Sequence, residues 1–134
     1  MSQENVTTVQ AAFEAMERGG LDALAEYWTD DVDHRAVEGA IDDRGLMQGK
    51  EAVHAYLQDW FDMFDDFKVK PVELIDAGDE QVVAVLRFGG RGKQSGVETN
   101  LTFATLYTLR DGKIARGREY RTRDEALEAT GLSE

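Results

Sequence analysis

Residues 97–121 constrain this chain more than any other stretch. Two segments of strand-like composition, Val97 to Leu109 and Lys113 to Arg121, flank Arg110-Asp111-Gly112 and predict a long β-hairpin closed by a tight turn. If the loop is Asp111-Gly112 alone, Leu109 faces Ile114; if it is Arg110-Asp111-Gly112 with a bulge, Leu109 faces Lys113. Strand side chains alternate between faces, so a one-residue slip carries every side chain of one strand to the other side of the sheet. Either Glu119 and Arg121 or Arg118 and Tyr120 therefore point inward, and turn chemistry alone leaves both open.

The rest of the chain is helical first and extended later. Val6, Val9, Phe13 and Met16 recur at helical spacing, giving one apolar face, and Gly19-Gly20 stops the helix. Leu21 to Trp28 predicts a second short helix set against the first in an L. Val32 to Val37 alternates as a short strand, with Val32, His34 and Ala36 on one side. Glu38 to Gln48 has glycines, mixed charges and no period, and predicts a loop over a cavity mouth. Gly49-Lys50-Glu51 begins a helix whose apolar stripe is Val53, Tyr56, Leu57, Trp60, Phe61 and Phe64. Phe61 and Phe64 suit the core, whereas Tyr56 and Trp60 carry polar atoms that need partners and suit a cavity wall. An irregular strand from Phe67, a turn at Asp76-Ala77-Gly78-Asp79, a strong strand over 81–88 and a short helix over 122–131 complete the order. Helices gathered early and an antiparallel sheet later define an α+β class, the curved sheet wrapped around the helices.

A chain of 134 residues suits one domain with one core. Its 27 acidic against 15 basic residues give a net charge of −12, which argues against nucleic acid or anionic membrane as partners. No apolar run is long enough to span a bilayer and no basic stretch leads into an apolar one, so the expected location is cytoplasmic. The lack of cysteine excludes disulfides, thiolate metal sites and a cysteine nucleophile. Two histidines far apart imply no metal, and the glycines at 89, 90 and 92 lack the strand-to-helix context of a dinucleotide site, so no cofactor is expected. Residues 110–123 nevertheless hold five arginines and Lys113 against Asp111 and Glu119. They are either surface cations balanced by neighbouring carboxylates or the wall of an anion-accepting cavity.

The opening MSQENV, LDALAEYWTDDV (21–32), GKEAVHAYL (49–57), ELIDAGDEQVVAV (73–85) and LRDGKIARGREY (109–120) together resemble the SnoaL-like proteins. These belong to the nuclear transport factor two-like superfamily, with ketosteroid isomerase and small polyketide cyclases. The resemblance implies one cone-shaped domain over 1–134, a deep apolar pocket, and a homodimer joined through the outer face of the sheet. Carried over by position, the isomerase's general base falls near Ala36, its oxyanion-binding tyrosine near Ala12 and its protonated acid near Thr105. Neither alanine can transfer a proton, which argues against steroid isomerase chemistry. The aspartate, arginine, aspartate relay of the superfamily's epoxide hydrolases finds no matching inward aspartates either.

The same alignment favours the three-residue loop. Phe103 then faces Glu119 and Leu101 faces Arg121, while Ile114, Arg116, Arg118 and Tyr120 point outward, where a partner would cover Ile114 and Tyr120. His34 is the candidate general acid or base, since an unperturbed histidine side chain can exchange protons near neutral pH. Glu119 either orients His34 or neutralises Arg87 or Arg121. The ligand-binding set is Trp28, Tyr56, Trp60, Arg87, Thr105, Tyr107 and Arg121, with an arginine for a carboxylate or enolate oxygen. His54 lies toward the solvated side of its helix. The expected function is binding of a small apolar or aromatic ligand with a carbonyl or anionic end, with cofactor-free isomerisation, cyclisation or dehydration as the chemistry. The alternative is a non-catalytic dimeric ligand-binding or interaction module.

Overall fold

The computed structural model describes residues 2–131. Helix α1 (Ser2–Ala25) loses helical dihedrals at Gly20 (φ 80°, ψ −168°), a conformation open to glycine. The two expected short helices are the two arms of this kinked element. Trp28, expected on the second of them, instead begins strand β1 (Trp28–Arg35). After a long loop come β2 (Met47–Gln48), α2 (Lys50–Met63), β3 (Phe64–Gly78), β4 (Gln81–Gly92), β5 (Glu98–Arg110), β6 (Lys113–Tyr120) and α3 (Arg123–Thr130).

The strands form one curved, unclosed sheet in the order β2-β1-β6-β5-β4-β3. It is mixed, because β1 lies parallel to β6, with His34 beside Gly117. A parallel pair needs a long connection, and the chain from α2 to β5 supplies it. Among the described residues no helix is long and apolar enough to cross a membrane.

The hairpin settles its register by a route that neither turn alternative contains. Its loop is Asp111-Gly112, both at positive φ (54° and 79°) as the favoured two-residue hairpin turn requires. Leu109 therefore pairs with Ile114. Ala115 is then an extra residue in β6, so that Thr108 pairs with Arg116 and Thr105 with Glu119. Relative to the three-residue loop, the turn and the bulge each displace β6 by one residue, and the two displacements restore the original facing. Glu119 points inward as expected, but opposite Thr105 rather than Phe103. Ile114, on the turn side of the bulge, is inward and 2% exposed, not on the outer face where a partner was expected to cover it.

The concave face of the sheet packs on α1 and α2 through Val9, Phe13, Leu24, Val53, Val82, Leu86 and Leu109. On the outer face Ala126 and Leu127 of α3 cover Val83, Ala104 and Leu106. The start of α3 is legible in Thr122-x-x-Glu125. The Thr122 hydroxyl accepts from the Glu125 amide (3.1 Å), and the Glu125 carboxylate accepts from the Arg121 amide (3.2 Å). This cap ends β6 and holds Arg121 at the strand terminus.

Candidate functional site

A cavity of about 300 Å³ lies between the concave sheet face and the two long helices, with Phe13, Met16, Leu24, Trp28, Val53, Leu86 and Ile114 among its apolar walls. One flank is aromatic. Phe67, Phe88 and Phe103 are brought together from β3, β4 and β5, and the Trp60 ring lies 5.3 Å from Phe88 and parallel to Phe64 at 6.0 Å. Such pairs stabilise beyond the area they bury and present flat apolar surface to the cavity.

The opposite end is polar. His34 is 7% exposed, and its Nε2 lies 2.8 Å from Glu119 Oε2. A carboxylate accepts, so the network assigns the Nε2 hydrogen to His34 and leaves Nδ1 as the basic nitrogen. Nδ1 rests over Gly117, whose missing Cβ leaves room for the imidazole. Among the described residues Nδ1 has no hydrogen-bond partner, while no buried side-chain nitrogen or oxygen lacks one, so Nδ1 meets the cavity. The Tyr56 hydroxyl sits 3.1 Å from Glu119 Oε2 and 3.0 Å from Asp42 Oδ2. Burial first, then the Glu119 charge, raises the Tyr56 phenol far above its ordinary range, and the same two causes raise Tyr107. Both phenols therefore remain hydrogen donors.

The expected site residues divide three ways. His34, Glu119, Trp28, Trp60, Thr105, Tyr107 and Arg121 line the cavity. Tyr56 is fully buried and stands behind the polar end, bonded to Glu119 and Asp42. Arg87 was expected inside and is not. Val82, Ala84 and Leu86 supply the inward face of β4, leaving Arg87 exposed on the outer face beside Lys70 and Thr102. Glu119 thus neutralises neither Arg87 nor Arg121, and its partner is His34. His54, expected on the solvated side, pairs there with Asp22 at 3.0 Å.

The arginine cluster divides as well. Arg110 pairs with Asp31, Arg116 and Arg118 with Asp33, and Arg123 with Glu73, all away from the cavity. Arg121 alone of the five lines the cavity, at its exposed edge, and among the described residues no carboxylate pairs with its guanidinium. No group of three or more His, Asp or Glu among the described residues could hold a metal ion.

Asp42 was not anticipated. It comes from the loop between β1 and β2, which Asp43 organises by accepting from Arg35 (3.0 Å) and from the amides of Gly39 and Gly45 (both 2.9 Å). The Arg35 guanidinium first, and then those amides, hold the Asp43 carboxyl well below the usual carboxylate range. A carboxylate lowered in the folded state stabilises it above the unfolded value of about 3.9, and that contribution is lost as pH falls through the folded value. Asp43→Asn should therefore lower Tm at neutral pH, and the gap to the wild type should close in strong acid. Circular dichroism melts across pH check this, and a constant gap would assign the effect to something other than ionisation.

The SnoaL-like domain family's model matches residues 9–117, and the chain belongs to that family. It shares the fold of the nuclear transport factor two-like and ketosteroid isomerase-like proteins. A nuclear transport factor two-like protein from Burkholderia xenovorans is 26% identical, with 97% of this chain and 98% of that one covered and a TM-score of 0.72. A Mycobacterium tuberculosis protein solved in complex with estradiol-17beta-hemisuccinate is 17% identical over 90% and 95% of the two chains, with a TM-score of 0.73. TerC co-crystallised with polyporic acid is 18% identical over 96% and 99%, with a TM-score of 0.74. Among curated proteins none matches.

Proposed function

We propose that the cavity takes a small apolar or aromatic molecule with a carbonyl or anionic end, and that His34 and Glu119 carry out cofactor-free proton transfer on it. The reaction is of the isomerase, cyclase or dehydratase class. The observation that carries this reading is the 2.8 Å contact between His34 Nε2 and Glu119 at the polar end of an otherwise apolar cavity. Glu119 orients the imidazole and stabilises the imidazolium once Nδ1 has taken a proton, as a carboxylate does in a triad. Arg121 holds the anionic end at the cavity edge. The ligands of two structural neighbours, estradiol-17beta-hemisuccinate and polyporic acid, support a cavity of this fold taking organic molecules with such ends.

A second reading, a dimeric carrier without catalysis, is favoured by the alanines at positions 12 and 36, where ketosteroid isomerase has reacting groups. Both readings keep the protein in the cytoplasm as a homodimer through the outer sheet face, around the area that α3 covers. A monomer in light scattering would remove that assembly.

The test is a thermal-shift screen of aromatic and polyketide-like keto acids, with each bound compound then assayed for chemical change. Wild type and His34→Ala should both be stabilised by the same compound. Turnover by the variant should fall by about 10²- to 10⁴-fold, the usual worth of a positioned acid or base. Binding without conversion by the wild type supports the carrier, and a compound turned over equally by both proteins would end the role of His34.

A further inference from the structure

Strand β1 has little backbone pairing to hold it in register. Its ladder with β6 is broken between Trp28 and Asp33, and only Asp33, His34 and Arg35 pair in succession, with Arg116, Gly117 and Arg118. On the other side β2 contributes two residues. A slip of one residue would turn His34 outward and carry Asp33 and Arg35 toward an apolar cavity. The ladder is thus a weak constraint on the seat of His34 over Gly117, the place from which its Nε2 reaches Glu119.

The outer face of the sheet supplies a stronger one. Asp33 and Arg35, on either side of His34, point away from the cavity, and Arg35 stands opposite Arg118 on β6, a like-charged pair that by itself pushes the strands apart. Asp43 takes Arg35 and Asp33 takes Arg118, with Arg116 Nε 3.5 Å from the same Asp33 oxygen. Arg118 Nη1 donates to Asp33 Oδ1 at 2.8 Å and to the Gly117 carbonyl at 2.9 Å. One nitrogen therefore joins the side chain of the residue before His34 to the backbone of the glycine beneath it. The Asp33 and Arg118 side chains are 17% and 25% exposed, whereas Asp31 of the same strand and its partner Arg110 are more than half exposed. Water and salt screen the inner pair less.

We infer that Asp33 and Arg118 are positioning residues for His34, acting from the face of the sheet opposite the cavity. They hold the imidazole on Glu119 by fixing β1 against β6. This rests on the proton-transfer reading above, in which the imidazole acts only while Glu119 orients it. With Asp33 neutralised, Arg116 and Arg118 lose their shared carboxylate beside Arg35, and three cations repel across the two strands. His34 then leaves its seat.

The experiment is nuclear magnetic resonance of the substrate-free protein, ¹⁵N-labelled at its two histidines alone, so its outcome does not depend on whether the cavity converts any compound. The hydrogen between Nε2 and Glu119 should give a ring N–H resonance that exchanges slowly with water and is identified by its absence from His34→Ala. Asp33→Ala should abolish it. Arg118→Met, which keeps the aliphatic stem and leaves Asp33 with Arg116, should abolish it too and gives a second route if Asp33→Ala misfolds. Asp31→Ala, which breaks the exposed pair with Arg110, should leave it in place and so separates positioning from a general loss of surface charge. No such resonance in the wild type, its survival in folded Asp33→Ala or Arg118→Met, or its equal loss in Asp31→Ala would each overturn the assignment. Unfolding of both Asp33→Ala and Arg118→Met would overturn it as well, by making the pair a determinant of the fold rather than of the seat of His34.

Discussion

Deleting Arg118 is expected to abolish cooperative folding, or to lower Tm by more than any single substitution in the cavity. The Asp111-Gly112 turn pairs Leu109 with Ile114, and the bulge at Ala115 lets Gly117 and Glu119, each an odd number of residues beyond Ile114, face inward with it. Without Arg118, β6 either closes the bulge, which keeps Glu119 inward but drives Arg116 into the place of Gly117 against His34, or keeps the bulge and turns Glu119 outward and Tyr120 into the cavity. The first choice buries an arginine, and the second strips His34 and Tyr56 of their shared acceptor. An unpaired buried ion costs several kcal/mol and each orphaned donor about 1–3 kcal/mol, against a total stability of about 5–15 kcal/mol. Thermal and urea melts check it. A variant that melts at the wild-type temperature would show that the register of β6 beyond the bulge does not set what faces the cavity.

Gly117→Ala should produce the second-largest effect, by a purely steric route. Gly117 does not occupy a positive-φ conformation, so alanine meets no backbone strain there. Its Cβ would, however, collide with His34 Nδ1 and come within 2.8 Å of Cε1. The imidazole must swing off Glu119, so we expect about 1–3 kcal/mol of destabilisation from overpacking and a loss of turnover close to that of His34→Ala. The double variant is diagnostic: with the imidazole gone the clash disappears, so His34→Ala should recover much of the stability that Gly117→Ala costs. Strict additivity of the two would mean that the glycine is needed for some other reason.

What was legible in the chain follows from how far each signal reaches. The two hairpin strands, the short helix over 122–131 and most of the apolar stripe of α2 depend on residues within a few positions of one another and were legible, whereas the turn, assigned three residues by the alignment, has two, and Phe64, expected on the α2 stripe, begins β3. The faces of β4 were not legible. Val83 and Val85 are as apolar as Val82 and Ala84, because α3 covers the outer set while α1 and α2 cover the inner. Alternation therefore carried no sign, and Arg87 was placed on the wrong side. Asp42 was equally hidden, since an aspartate in an aperiodic loop has no signature. Its position follows from an Asp43 clamp on three neighbours and from a phenol on another element.

The hairpin shows both halves of this. The sequence by itself determined that residues 97–121 form two strands joined by a tight turn within 110–112, because β-propensity and turn chemistry are properties of neighbouring residues, but it left open whether two or three residues close them. Which side of β6 meets the cavity was decided only by the tertiary structure. Ala115 carries no local mark of a bulge. Yet Ile114 and Glu119 are five residues apart, an odd separation that a regular strand turns to opposite faces, so burying Ile114 in the core while bringing Glu119 to His34 on β1 requires a bulge at Ala115.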